Sequence, residues 1–494
     1  MESTPFFRKL NQPMLRFGKD VLTLRDFCEG TLVTGCTGAG KSSTSGAAYF
    51  QALLNLGAGG IILCAKPGEV EMVRRMTANA GREHDLVVLD SSCQERFNFL
   101  QYARQTIAKD FFQNLVTLMG VAAEAAKAAQ VSQGKGENEF FNNAAKQMLL
   151  HAFAVLDAVE GKLNLKGVYR MVVSAPRTME ELHSEKWLKT SYCGELLVKL
   201  AQLSDAGNTR ASEVIEEHAE YWSHEVPTLG DRTRASIIST LTNLIYPFLS
   251  GKLHTLFCTD STFVPEMARQ GKILCLDLPP LTHSHMGAAA QAIVKYLFGV
   301  AMQREAIGKK TRPVFLYADE CQYFLSKSDS ELLSTARSAK LAVVYITQDL
   351  PSFHAALGAD GEDVAESIIS KFGTRIYHSN SNKTNVYASE SIGKMMRYNT
   401  NRNASWGSNS GGSLNQHEES GGSGAGDGRN QSYSEGVQSY RDFVIPPEYF
   451  AKELRTGAKK NRYFVDAILV RNGRNFKATG EHWMKVTYRQ GEYG

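Results

Sequence analysis

Apolar positions along the chain show two textures. Short unbroken runs rich in β-branched residues occur at Thr31–Thr34, Gly60–Ala65, Leu86–Leu89, Ile273–Leu278, Val314–Ala318, Val343–Thr347 and Arg375–Tyr377. Turn residues bound each run, and helix-length stretches separate them. Such alternation predicts an α/β fold with a mainly parallel central sheet, covered on both faces. From about 100 to 265 the texture changes to helical spacing. Phe140, Phe141, Ala144, Ala145, Met148, Leu149, Ala152 and Leu156 make one stripe, and Ile237, Ile238, Leu241, Leu244, Ile245, Phe248 and Leu249 another. Stripes of this kind read as helix core rather than as ligand contacts.

The pattern thus predicts an α/β domain in two parts, 1–99 and 266–494, interrupted by an all-α insertion over 100–265. Within the second part, residues 399–434 hold one Leu and no Val or Ile. A stretch so poor in apolar groups buries too little surface to offset its ordering entropy, so a disordered Gly/Ser/Asn-rich loop is expected over 399–438. A final strand pair is expected around Tyr463–Val470 and Phe476–Thr487.

The strongest chemical signal is Gly35-Cys36-Thr37-Gly38-Ala39-Gly40-Lys41-Ser42, a full G-x-x-x-x-G-K-S followed by Ser43. A strand precedes it and a helix from Lys41 to about Leu56 follows, which is the context a phosphate loop requires. Its glycines let successive backbone N–H groups converge on phosphates at the positive end of a helix. Lys41 is expected on the β- and γ-phosphates and Ser42 on Mg²⁺. A chance Gly-rich turn is the bland alternative, and the strand–loop–helix frame argues against it. The expected cofactors are ATP and Mg²⁺.

A second strand, Val314–Ala318, ends in Asp319-Glu320. Alone, an apolar strand ending in two carboxylates is often just a capped strand end. Beside a phosphate loop, Asp319 is expected in the Mg²⁺ shell and Glu320 on the attacking water. The strand Leu341–Ile346 leads into Thr347-Gln348, and Gln348 is placed to contact the γ-phosphate. Arg337, after a helical stretch, reads by itself as a solvated helix end.

These residues together resemble the type IV secretion coupling proteins, the TraG/TraD-like conjugative DNA-transfer ATPases related to FtsK-like and HerA-like pumps. Beyond the phosphate loop, Ala65-Lys66-Pro67-Gly68-Glu69 is similar to the family's second-strand Lys-Gly-Glu motif. Phe97-Asn98-Phe99-Leu100 is similar to its Phe-Asn-Pro-Leu turn, with Phe99 in place of proline. Ser391-Ile392-Gly393, Pro446-Pro447-Glu448 and Arg455-Thr456-Gly457 follow its C-terminal pattern. The resemblance implies a RecA-like motor split by an all-α domain and assembled as a homo-hexamer around DNA. It implies that Arg337 is an arginine finger acting on a neighbouring subunit, and that Gln348 is the motif III glutamine. It also implies a relaxase and the secretion channel as partners.

Composition changes this picture little. Of 494 residues, 55 are Lys or Arg and 51 Asp or Glu, a net charge of +4, so a DNA path must come from local patches rather than overall charge. Arg232, Arg234, Lys459, Lys460 and Arg462 are the candidates, each with a solvated surface as the bland reading. The eight cysteines include no C-x-x-C pair, and His283-Ser284-His285 lacks visible metal-ligand partners. No apolar run nears the roughly 18–20 residues that span a bilayer, whereas coupling proteins usually carry an anchor. A cytoplasmic protein, recruited to the inner membrane by partners, is the expectation. A nucleotide-driven switch or scaffold of the same fold is the alternative, as is a HerA-like pump in plasmid maintenance or defence.

Overall fold

A computed structural model describes residues 9–106, 111–129, 138–358, 361–408 and 429–492. A short antiparallel hairpin, β1 (Pro13–Phe17) and β2 (Asp20–Thr23), precedes the main sheet. The strands β3 (Thr31–Thr34), β4 (Gly59–Leu63), β5 (Leu86–Leu89), β6 (Ile273–Leu276), β7 (Val314–Ala318), β8 (Leu341–Thr347) and β9 (Thr374–Tyr377) follow in the chain. Then come the paired strands β10 (Lys394–Ser408) and β11 (Arg429–Phe443), and finally β12 (Phe464–Arg471) and β13 (Trp483–Arg489). Nine of them form one sheet in the order β13-β12-β9-β3-β8-β7-β4-β6-β5. From β9 to β5 every pairing is parallel, and the β9–β12 and β12–β13 pairings are antiparallel, so β12 alone runs against the others.

Strands buried on both faces need apolar residues at consecutive positions, which is why they read as unbroken runs rather than as alternation. Successive side chains point to opposite faces, so each run feeds two cores. Leu32, Ile61, Leu63 and Leu316 enter one core, and Val33, Ile62, Phe315 and Tyr317 the other. The second core is closed by helices Leu24–Cys28, Ala47–Asn55 and Glu69–Asn79.

Between β5 and β6 every described element is helical, from Phe99–Thr106 to Met267–Gln270. Their core, with Trp222, Phe153 and Leu241 fully buried, is continuous with the first sheet face. Most of the expected stripe is interior, but Phe140 is 63% exposed and does not belong to it. Arg234 is a correction of another kind. It is buried, and its guanidinium donates to the carbonyls of Ala175 and Pro176, the former at 2.6 Å. A side chain spent on carbonyls inside the helical region cannot grip DNA, whereas Arg232, Lys459, Lys460 and Arg462 are exposed.

The largest departure concerns the loop expected over 399–438. There the chain forms a long antiparallel ladder, from Lys394 opposite Phe443 to Ser408 opposite Arg429. Residues 409–428 lie outside the described residues. The reason is that a ladder satisfies backbone N–H and C=O groups without needing apolar side chains, so composition alone is blind to it. The final strand pair also differs in extent, because Phe476 and its neighbours form the connection and β13 begins at Trp483. No helix among the described residues is long and apolar enough to cross a membrane.

Candidate active site

All the parallel strands end on one edge of the sheet, and that edge collects the polar residues. The phosphate-loop sequence leaves β3 and enters a π-type turn, Ser42–Gly46, which continues as helix Ala47–Asn55. The loop is anchored to its neighbours by Gly35 N donating to Thr347 O at 3.3 Å and Cys36 N to Ser379 O at 2.8 Å. Gly40 has φ +87°, and a Cβ there would lie 2.7 Å from Val465 Cγ2, so only glycine fits. Gly35 is equally confined, since a Cβ would meet His378 Cβ at 2.9 Å.

Lys41 is buried at the turn, with Nζ 3.8 Å from Glu320 Oε1. Ser42 Oγ donates to Asp319 Oδ2 at 2.6 Å, bringing a hydroxyl from the turn after the phosphate loop beside a carboxylate that follows β7. Oxygen donors in that arrangement suit a hard divalent cation such as Mg²⁺, which this family of loops keeps with water and phosphate oxygens. Asp319 Oδ1 in turn accepts from Glu320 N at 2.9 Å. Glu320 adopts φ 46° and ψ 48°, a left-handed conformation that costs a non-glycine residue about 1–3 kcal/mol. Held so, its carboxylate turns back toward the phosphate loop.

That carboxylate is heavily engaged. Oε1 accepts from Lys66 Nζ at 2.5 Å and from Gln348 Nε2 at 3.3 Å, and Oε2 accepts from Gln322 Nε2 at 2.9 Å. Gln322 is itself fixed by Thr347 Oγ1 at 2.9 Å. Burial pushes the Glu320 carboxyl up, but the Lys66 and Gln322 hydrogen bonds and the Lys41 charge outweigh it and leave it below the usual range. Burial likewise works against the Lys66 ammonium, and the Asp319 and Glu320 carboxylates more than restore it. Glu69, half-buried after β4, accepts from Ala65 N at 2.7 Å and Lys66 N at 3.3 Å. Its burial, reinforced by the Asp319 charge, raises its pKa to about 8. His378, after β9, meets Ser45 Oγ through Nε2 at 2.8 Å. Burial first, and then the Lys41 charge, lower its pKa to about 3.

Of the residues expected from sequence, the fold brings together Lys41, Ser42, Asp319, Glu320 and Gln348. Arg337 is elsewhere. It precedes β8 while Gln348 follows it, so the two stand a strand length apart, about 20 Å for seven residues. There Arg337 is 59% exposed and faces Glu29 at 3.4 Å. His283 contacts Ser91 at 3.2 Å and takes no part in the site. Sequence reading missed Gln322 and His378. Lys66 was visible only as part of a motif, without a role.

Residues 313–435 match a family model described as the TraM recognition site of TraD and TraG. No curated protein matches the chain. Among solved structures, the bacterial conjugative coupling protein TrwBdeltaN70 in an unbound form aligns over 97% of this chain and 89% of its own, with TM-score 0.59 at 15% identity. The plasmid coupling protein TrwB in complex with ADP and Mg²⁺ aligns over 99% and 91%, with TM-score 0.58 at 15% identity. TrwB with the non-hydrolysable ATP analogue ADPNP aligns over 97% and 90%, with TM-score 0.56 at 16% identity. The fold is therefore the RecA-like P-loop fold of that coupling protein. Likeness to the TraG/TraD-like coupling proteins holds both in the 313–435 segment and in the fold of nearly the whole chain.

Proposed function

We propose that this chain is a Mg²⁺-dependent ATPase that drives DNA toward a type IV secretion channel in conjugation. The observation that carries the reading is the convergence of Lys41 and Ser42 from the phosphate loop with Asp319 and Glu320 from β7 on one sheet edge. Gly35, Cys36, Thr37, Gly38, Ala39, Gly40 and Ser43 supply the surrounding loop. The ADP, Mg²⁺ and ADPNP complexes of TrwB support the same ligands here.

Ser42 and Asp319 would hold Mg²⁺, which when bound neutralises charge on the transferred phosphoryl group. Lys41 extends from a buried stem toward the phosphate oxygens. Glu320 orients the attacking water and takes its proton, and Gln348 contacts the γ-phosphate. Phosphoryl transfer asks for little more than this positioning and charge.

Arg337 faces away from its own site, so it serves catalysis only across a subunit boundary, as in a ring. A homo-hexamer around DNA provides that boundary. Relaxosome proteins and the secretion channel are the partners, in line with the TraM-recognition segment. Lys459, Lys460, Arg462 and Arg232 are the exposed basic residues available to DNA phosphates. A cytoplasmic location with recruitment to the inner membrane completes the reading.

The deciding measurement is ATP turnover with and without single- and double-stranded DNA, with the mass of the assembly followed in parallel. Many-fold stimulation by one DNA form together with a hexamer is expected. Slow turnover indifferent to DNA would instead make the chain a nucleotide switch.

A further inference from the structure

Glu320 is an unusually occupied base. An ionised carboxylate oxygen accepts about two hydrogen bonds, and Oε1 already has two, from Lys66 at 2.5 Å and Gln348 at 3.3 Å. Oε2 accepts from Gln322. Oε1 is the oxygen that faces the phosphate loop, 3.8 Å from Lys41 Nζ, and with both its lone pairs taken it can accept a proton from a water at the γ-phosphate only after one of its own donors leaves.

The three donors differ in their freedom to leave. Gln322 is pinned through Thr347 Oγ1. Gln348 sits at the end of a fully buried strand, at the weakest of the three distances. Lys66 is different, because its side chain is 44% exposed while the carboxylate it holds is 1% exposed. Its backbone N–H is fixed by Glu69 on the short turn joining β4 to helix Glu69–Asn79, so the stem is anchored while the ammonium has solvent to move into.

We infer that Lys66 is a positioning residue that bridges to Glu320 and restrains it in the resting enzyme, and that hydrolysis requires this bridge to open. The inference deepens the hydrolase reading above and rests on it. Removing the ammonium should free Oε1 for water without touching the phosphate loop.

The test is steady-state ATP turnover of the full chain and of Lys66→Ala, Lys66→Met and Lys66→Arg, with and without DNA. Lys66→Ala and Lys66→Met should raise DNA-free kcat by about ten-fold, the worth of one charge-assisted hydrogen bond, with KM unchanged. The ratio of DNA-stimulated to DNA-free turnover should shrink accordingly. Lys66→Arg, which keeps the charge and a donor, should restore the wild-type rate. In the double variant Lys66→Ala/Glu320→Gln the gain should vanish. Unchanged or lower DNA-free kcat in Lys66→Ala, with the wild type active, overturns the restraint alone. A gain that persists in the Glu320→Gln background overturns it as well. Turnover absent from wild type and every variant overturns the hydrolase reading itself.

Discussion

Two lysine–carboxylate pairs stand around β7, and they are built for opposite ends. Lys295 and Asp329 are both interior, at 2% and 0% side-chain exposure, and meet at 2.6 Å. Asp329 also accepts from Tyr345 Oη at 2.5 Å and Ser326 N at 2.8 Å, and Lys295 donates to Phe324 O at 2.6 Å. Every polar atom there has a fixed partner, so the pair ties the segment after Glu320 to the long helix Pro280–Arg304. The Lys66–Glu320 pair is as short, yet its lysine is half in solvent and its carboxylate is shared among three donors. Distance alone does not separate a structural pair from a working one. Exposure of the cation does.

The contrast can be broken at either pair, and the largest effects belong to the nucleotide site. Lys41→Ala should abolish nucleotide binding or turnover. Glu320→Gln should keep binding, followed with a fluorescent ADP analogue, while turnover falls by about 10²–10⁴-fold, the usual worth of a general base. Neither change should weaken the fold. Full activity in Glu320→Gln would remove its role as the base.

Arg337→Ala should lower turnover by up to about 10³-fold through loss of a charge supplied to the adjacent subunit. Its unfolding midpoint should stay put, because Glu29 keeps Arg474 at 2.6 and 2.7 Å. Mixing Arg337→Ala with Lys41→Ala chains should restore part of the activity. Without such rescue the trans assignment falls.

At the structural pair the order reverses. Asp329→Ala leaves a buried ammonium unpaired and should cost about 3–5 kcal/mol of stability, seen as a lower thermal midpoint. Lys66→Ala should move that midpoint far less, since the lysine is half in solvent and Glu320 keeps Gln322, Gln348 and the nearby Lys41.

The smallest effect is a pH dependence. His378 is held well below its unfolded pKa, at about 3, because burial and Lys41 disfavour the imidazolium. Its share of stability is therefore complete above pH 6.5 or so and is lost as pH falls from there toward 3. His378→Gln should flatten that part of the thermal-midpoint profile.

Much of this was legible in the sequence, for identifiable reasons. The phosphate loop is local: Gly40 must hold φ +87° against Val465, and Lys41-Ser42 follow it directly in the chain. Apolar runs reported the parallel strands because both faces are buried. Asp319-Glu320 could be placed because a strand delivers whatever follows it to the sheet edge. Residues whose meaning depends on a distant partner were not legible in the same way. Lys66 and Gln322 look like ordinary turn and strand-end residues until they meet Glu320. Arg234 looks like a surface cation until it is found donating to buried carbonyls.

By itself, then, the sequence determined the phosphate-loop motif and the parallel strands, since these rest on contiguous residues and on unbroken apolar runs buried on both faces. Tertiary structure decided the rest. It fixed the strand order, which sets β7 between β8 and β4 and so brings Lys66 onto Glu320. It placed Arg337 at the opposite end of β8 from Gln348. It also paired Lys394–Ser408 with Arg429–Phe443, through backbone groups that every residue but proline carries alike and that composition cannot report.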